Sequence, residues 1–140
     1  MNKIQIKKCY PYNDYFLDRV VYENYLQYRN FSSEDISFIK DMIFLQILDL
    51  GGNYISDLSP LQNLVNLEIL YLWINNIQDI SLLKKLSNLE TLHLDENEIT
   101  DISSLKNLVN LEDLVLKGNP ISQQQIDELK EALPNCKINY

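Results

Sequence analysis

The sequence is poor in the residues that many enzymes and cofactor-binding domains depend on. Its 140 residues include three glycines, two cysteines and one histidine, His93. It contains no glycine-rich phosphate loop, no CxxC pair and no nucleophile elbow. A lone histidine with no cysteine nearby is a weak candidate for a metal ligand or a triad member, so we interpret it as a surface residue. We therefore predict no catalytic residues, no metal and no cofactor.

Long apolar runs and excess positive charge are also missing. The apolar runs are far shorter than the roughly 20 residues that a membrane-spanning helix needs. The first residues include lysines but no apolar segment typical of a secretory signal. The net charge is −8, and residues 45–140 carry six basic and fourteen acidic side chains. This charge disfavours nucleic acid and anionic membranes as partners.

The chain is instead dominated by a repeat with a period of 22 residues. The pattern LxxLxLxxNxI recurs four times in succession, and helical periodicity would not return an asparagine to the same place every 22 residues. Its columns are Leu45, Leu67, Leu89 and Leu111; Leu48, Leu70, Leu92 and Leu114; Leu50, Leu72, Leu94 and Leu116; Asn53, Asn75, Asn97 and Asn119; and Ile55, Ile77, Ile99 and Ile121.

Each repeat position has a structural interpretation. Leu70 and Leu72 alternate, so they point to one face of a short strand, and neighbouring copies should stack in parallel about 4.8 Å apart. Asn75 is expected to leave the strand and pair its amide with the backbone of the following coil. An aspartate and a serine two residues later recur on the outer side as turn and N-cap residues for short helical segments. These pairs are Asp57 with Ser59, Asp79 with Ser81, and Asp101 with Ser103.

One such coil cannot bury its apolar side alone, so we predict a single repeat domain over residues 1–140 with specialised ends. Its segments are an N-terminal cap (1–22), a degenerate repeat (23–44) in which Leu26 aligns with Leu48, three full repeats (45–66, 67–88 and 89–110), and a last repeat with a C-terminal cap (111–140). Residues 2–8 favour a short strand, and the aromatic residues of 9–22 form either a cap or a binding surface. Ser122 and Gln125 predict a capping box at the start of a helix over about 123–132, and Ile138 predicts a last edge strand.

The two cysteines lie near opposite ends of the chain. Five coils at about 4.8 Å would separate Cys9 from Cys136 by about 20–25 Å, whereas a disulfide needs Cα atoms within about 7 Å. We therefore predict two free thiols, which suits a reducing cytoplasm.

With its 22-residue period, the chain resembles the internalin type of bacterial leucine-rich repeat protein, and it is similar to the eukaryotic phosphatase-regulator subfamily of the same period. The resemblance covers about residues 23–138. It implies an α/β solenoid, a right-handed superhelix with a parallel concave β-sheet and short helical or 3-10 segments on the convex side. It also implies protein binding on the concave face. The few repeats and the lack of an anchor segment argue against a surface adhesin.

The residues between the strand leucines should face outward on the concave side. Tyr71 and Trp73 are residue types that commonly anchor protein interfaces, although aromatic and β-branched residues also simply suit strands. The predicted partner-binding residues are Ile47, Asp49, Ile69, Tyr71, Trp73, Thr91, His93, Asp95 and Val115.

These features predict a non-enzymatic module that binds a protein partner, and a column of Glu68, Glu90 and Glu112 suggests basic groups on that partner. The chain would be a monomer or a homodimer through the concave face. Alternatives are a regulatory subunit or inhibitor of an enzyme such as a phosphatase, and, less favoured, a hydrolase that uses concave carboxylates. Asp95, Glu96 and Glu98 do not have the spacing of a calcium loop.

Overall fold

One open parallel sheet runs through the part of the chain that the structure describes, which comprises residues 20–22, 26 and 29–140 of this computed structural model. Six strands follow one another in chain order, and each pairs in parallel with the next. They are β1 (Val20–Tyr22), β2 (Leu45–Asp49), β3 (Ile69–Tyr71), β4 (Thr91–His93), β5 (Asp113–Val115) and β6 (Lys137–Asn139). The predicted parallel leucine-rich repeat sheet is confirmed.

Short helical segments return the chain from each strand to the next on the other side of the core. Four are 3-10 helices, at Ser37–Asp41, Ser59–Leu61, Ser81–Lys85 and Ser103–Asn107. The last connection is an α-helix, α1, over Gln123–Ala132, as predicted. Ser122 Oγ accepts a hydrogen bond from the Gln125 N–H at 3.3 Å and caps this helix. Gln125 Oε1 has no hydrogen-bond partner among the described residues, so the predicted capping box is only half formed. Ile138 lies in β6 opposite Leu114, also as predicted.

The core lies between the sheet and these segments and is built almost entirely from the repeat leucines and isoleucines. Leu48, Leu70, Leu92 and Leu114 form one column in which no side chain is exposed to solvent. Each fully buried leucine contributes about 1.5–3 kcal/mol of hydrophobic stabilisation. Because the columns continue from coil to coil, the coils share one interior.

The first coil departs from the predicted register. In the sheet Tyr22 pairs with Leu48, a step of 26 residues, so the predicted alignment of Leu26 with Leu48 is wrong. The step of 22 begins only at the bridge between Ser32 and Tyr54. Phe31 occupies the asparagine position in this coil, and the coil from β1 to β2 is four residues longer than those that follow. The strand predicted at 2–8, the aromatic residues up to 19 and Cys9 lie outside the described residues.

The outer turns are organised by the recurring aspartates. The carboxylates of Asp57, Asp79 and Asp101 each accept a hydrogen bond from the serine N–H two residues later, at 2.8 Å. Two hydrogen bonds lower the pKa of Asp79 and of Asp101: the bond from the serine N–H has the larger effect and the bond from the serine hydroxyl the smaller one. Each serine is the first residue of its 3-10 helix and therefore not the N-cap, so the predicted N-cap role of the serine is wrong. The aspartate stabilises the turn by accepting the hydrogen bond from the serine N–H.

No helix among the described residues is long and apolar enough to cross a bilayer.

Candidate partner-binding face

A ladder of asparagines holds the coils together where the strands end. Asn75 Oδ1 accepts a hydrogen bond from the Ile55 N–H at 2.9 Å, and its Nδ2 donates to the carbonyls of Leu50 and Leu72, both at 3.1 Å. Asn97 repeats this arrangement one coil later. Both amides are buried, so these bonds satisfy polar groups that water cannot reach.

The ladder connects each coil to the preceding one, whereas the sequence analysis predicted the following one. The reason lies in how the strands pair. Leu50 N–H donates to the Tyr71 carbonyl and Gly52 N–H donates to the Trp73 carbonyl of the next coil. The Leu50 carbonyl remains available as an acceptor, and Asn75 donates to it.

A second asparagine ladder, which the sequence analysis missed, lies at the amino ends of the strands. Asn66, Asn88 and Asn110 donate from Nδ2 to the carbonyls of Ile43, Val65 and Ser87 at 2.7–2.9 Å. These residues also recur every 22 positions, so the sequence contained the signal. The strands are therefore tied to the preceding coil at both ends, which makes the sheet a rigid support.

The backbone turns through the left-handed region once per coil, immediately before the asparagine of the first ladder or, in the first coil, before Phe31. Glycine adopts this conformation freely and asparagine tolerates it, but a β-branched residue rarely does. The residues are Asn30 (φ 59°), Gly52 (φ 68°), Ile74 (φ 49°), Glu96 (φ 53°) and Gly118 (φ 78°). Ile74 is therefore the strained member of this set.

The strand register aligns the candidate residues in columns across the sheet. Ile47, Ile69, Thr91 and Asp113 lie in one column, and Asp49, Tyr71, His93 and Val115 lie in the next. From β3 to β5 the candidate side chains are partly exposed. This row of adjacent, partly exposed side chains is the surface that a partner could contact.

Ile47 and Asp49 do not share that exposure, so the prediction that they are open to a partner is corrected. Only 6% of Ile47 and 4% of Asp49 is exposed. The Asp49 carboxylate accepts a hydrogen bond from the Gly51 N–H at 3.0 Å. Both residues lie on β2, which has β1 on one side and β3 on the other, with Ile69 opposite Ile47 and Tyr71 opposite Asp49.

Trp73 lies against the end of the preceding strand. A Cβ atom at Gly51 would be 2.1 Å from Trp73 Cε2 and 2.4 Å from Cζ2, so the indole occupies the space that any other side chain at position 51 would need. Trp73 itself stays partly exposed. Gly51 thus positions the tryptophan, a role that the sequence analysis did not assign.

Tyr71 and His93 form the centre of the face. Their rings meet edge to face, with centroids 4.9 Å apart and an interplanar angle of 62°. His93 Nε2 is 3.7 Å from Asp113 Oδ2, and the histidine side chain is 28% exposed. The predicted surface histidine is therefore a partly buried member of an aromatic row.

Carboxylates border this aromatic centre along both ends of the strands. At the amino ends, Glu90 and Glu112 are exposed, and Glu68 Oε1 accepts a hydrogen bond from Gln46 Nε2 at 2.8 Å. At the carboxyl ends, Glu96 and Glu98 are exposed. The aromatic centre is therefore flanked by exposed carboxylates at both ends of the strands, with Lys117 also exposed at the carboxyl end of β5.

The same repeat architecture occurs in known sequences and solved structures. A family described as "Leucine Rich repeats (2 copies)" matches residues 43–85, 65–107 and 87–131, well over half of the chain. The chain belongs to the leucine-rich repeat family. The comparison with curated proteins found no match.

Several solved leucine-rich repeat structures are similar to this chain. An internalin (inlF) from Listeria monocytogenes is 38% identical over 75% of the chain, with a TM-score of 0.71. An internalin C2 from the same organism is 37% identical over 72%, with a TM-score of 0.68. A leucine-rich repeat protein from Leptospira interrogans is 34% identical over 69%, with a TM-score of 0.64. The chain spans 31%, 44% and 26% of these structures, respectively.

Among the described residues, no three histidine, cysteine or acidic side chains converge as metal ligands would. Among the residues that the structure describes, hydrogen bonds lower the pKa of the carboxyl groups of Asp35, Asp79, Asp101 and Glu128. Burial, together with nearby Asp113, raises the pKa of the Cys136 thiol, which keeps it protonated and weakly nucleophilic.

Proposed function

We propose that this leucine-rich repeat chain is a non-catalytic module that binds a protein partner on its concave face. The observation that carries the proposal is the row of Tyr71, Trp73 and His93, held partly exposed on a sheet that is hydrogen-bonded at both strand ends. Rigid aromatic side chains contribute much of the affinity at protein interfaces because they bury a large area with little loss of conformational entropy. Leucine-rich repeat proteins commonly mediate protein–protein interactions through such curved surfaces.

The charges around this row support a partner with a basic surface. Glu90 and Glu112 lie at one edge of the face and Glu96 and Glu98 at the other. Opposite charges at an interface rim accelerate association and select against acidic proteins. A second copy of this chain would bring the same carboxylates to the interface, so we favour a different protein over a homodimer. A regulatory subunit or inhibitor of an enzyme would be a special case of this binding.

We further infer that the protein works in a reducing compartment such as the cytoplasm. Cys136 is a free thiol, half-buried near the end of the stack. Proteins in oxidising compartments usually pair their cysteines. A thiol count of two per chain, measured after denaturation without reductant, is expected, and a count of zero would contradict this location.

The concave-face proposal is tested with the substitutions Trp73→Ala and Tyr71→Ala. Wild-type protein immobilised as bait should capture a partner that mass spectrometry identifies, and titration then gives its affinity for each variant. Each substitution should weaken binding by about tenfold or more, as expected for a central aromatic anchor. Circular dichroism and thermal unfolding establish that the variants fold.

Val109→Ala is the matched control, because Val109 is an exposed apolar side chain outside the candidate face. It should leave the affinity unchanged. A partner that binds the folded Trp73 and Tyr71 variants as tightly as the wild type would refute the proposed face.

A further inference from the structure

The rim at the carboxyl ends of the strands carries an apolar side chain that the fold does not need. Ile74 is 48% exposed and has a φ of 49°. The residues at the same position in the other coils are Asn30, Gly52, Glu96 and Gly118. A β-branched residue in this left-handed conformation destabilises the folded chain, and an exposed side chain contributes little packing in return.

A second exposed apolar residue lies on the same rim in the preceding coil. Tyr54 is 62% exposed. It lies two residues after Gly52, so its repeat position is the one that Asn76 occupies in the coil of Ile74. The backbone at Gly52 and Ile74 is hydrogen-bonded to the next coil. Gly52 N–H donates to the Trp73 carbonyl at 2.8 Å, and Ile74 N–H donates to the Asp95 carbonyl at 2.9 Å. Tyr54 and Ile74 are thus two exposed apolar side chains in adjacent coils, at positions that follow the carboxyl ends of β2 and β3.

The next coil carries carboxylates at these rim positions. Glu96 replaces Ile74 and Glu98 replaces Asn76. The Glu96 carboxylate rests against Gly118, where a Cβ atom would be 2.7 Å from its Cδ. Glu98 Oε2 accepts a hydrogen bond from Gln78 Nε2 at 2.7 Å. Both carboxylates are therefore held by neighbouring residues, and they lie in the coil that follows Ile74.

We propose that this rim binds an extended segment of the partner. The segment contains a large apolar residue and a lysine or arginine that lies one or two positions before or after it. The apolar residue contacts Ile74 and Tyr54, and the basic residue contacts Glu96 and Glu98. The spacing follows from geometry: adjacent coils are about 4.8 Å apart, and an extended chain advances about 3.3 Å per residue. This inference rests on the proposed function, because it places part of the same partner next to Trp73.

The test uses a displayed library of random twelve-residue peptides, selected on the intact chain. The enriched peptides should share an apolar residue within two positions of a basic one. Ile74→Asn should weaken their binding by about tenfold or more, and it should also raise the thermal midpoint, because asparagine tolerates the left-handed conformation better than isoleucine. A purely structural role for Ile74 cannot produce a more stable variant that binds less.

Charge and position controls complete the experiment. Glu98→Gln should weaken binding and flatten its salt dependence, whereas Glu131→Gln on the outer face of α1 and Val109→Asn should do neither. Peptides that need Trp73 but bind the Ile74→Asn and Glu98→Gln variants normally would overturn the rim inference and leave the concave face supported. Peptides that need none of these residues would contradict both proposals. Failure to enrich any peptide relative to a Trp73→Ala, Ile74→Asn double variant would also overturn the rim inference.

Discussion

The strands β2 and β3 carry an isoleucine at the same repeat position, yet the two side chains differ in their exposure to solvent. Ile47 and Ile69 are direct neighbours in one column. Ile47 is buried, whereas Ile69 is partly exposed. In the next column Asp49 is buried beside a partly exposed Tyr71. The repeat therefore decides which face of the sheet a side chain points to, and the neighbours on either side decide whether solvent or a partner can reach it.

This difference divides the concave face into a part that is buried and a part that stays partly exposed. The side chains of β2 belong to the first part, and those of β3 to β5 belong to the second. Trp73 connects the two parts, because its ring lies against Gly51 at the end of β2.

The largest expected effect compares Ile47→Ala with Ile69→Ala. The first substitution leaves a cavity in a buried site and should lower the free energy of unfolding by about 3 kcal/mol, whereas the second removes a partly exposed side chain and should cost about 1 kcal/mol. Urea unfolding of both variants measures the difference. Equal losses would show that the two strands do not differ as described.

A smaller effect is expected from Gly51→Ala, which tests the contact between the two parts. The new methyl group collides with the Trp73 ring and should cost about 2 kcal/mol. In a Trp73→Ala background the same change should cost less than about 0.5 kcal/mol, so a double-mutant cycle should show strong coupling. Additive losses would mean that the indole does not occupy this space.

The smallest effect concerns positions where neighbouring coils should behave alike. The lowered pKa values of Asp79 and Asp101 mean that both carboxylates stabilise the fold above their ordinary pKa of about 4. This stabilisation is lost as the pH falls through the lower values of the folded chain. Asp79→Ala and Asp101→Ala should therefore lower the urea midpoint by similar amounts at pH 7 and by less at pH 3.

Glu131→Ala serves as the control for this pair, because Glu131 is exposed on the outer face of α1. It should show little change at either pH. A clear difference between the Asp79 and Asp101 variants would mean that neighbours also decide the environment of the outer turns.

Much of the fold was predictable because the repeat makes the same interactions in every coil. The strands from β2 to β5, the buried leucines and the capped helix α1 follow from local patterns, and they are confirmed. The register of the first coil was not predictable, because Phe31 replaces the asparagine that sets the register elsewhere. The direction of the asparagine ladder depends on which strand carbonyls already accept hydrogen bonds from a neighbouring strand. The sequence of a single repeat does not reveal this. The partner-binding role of Tyr71, Trp73 and His93 stays a prediction.

The sequence by itself determined the parallel stack and the direction of each strand side chain, because alternation and a constant period leave one arrangement that buries the leucines of the LxxLxL pattern. Only the tertiary structure decided that Ile47 and Asp49 are enclosed, that Gly51 makes room for Trp73, and that Ile74 adopts a strained, exposed conformation. These properties arise from contacts between coils. A side chain's exposure and backbone geometry depend on the residues beside it in the sheet, and those residues are 22 or more positions away in the chain.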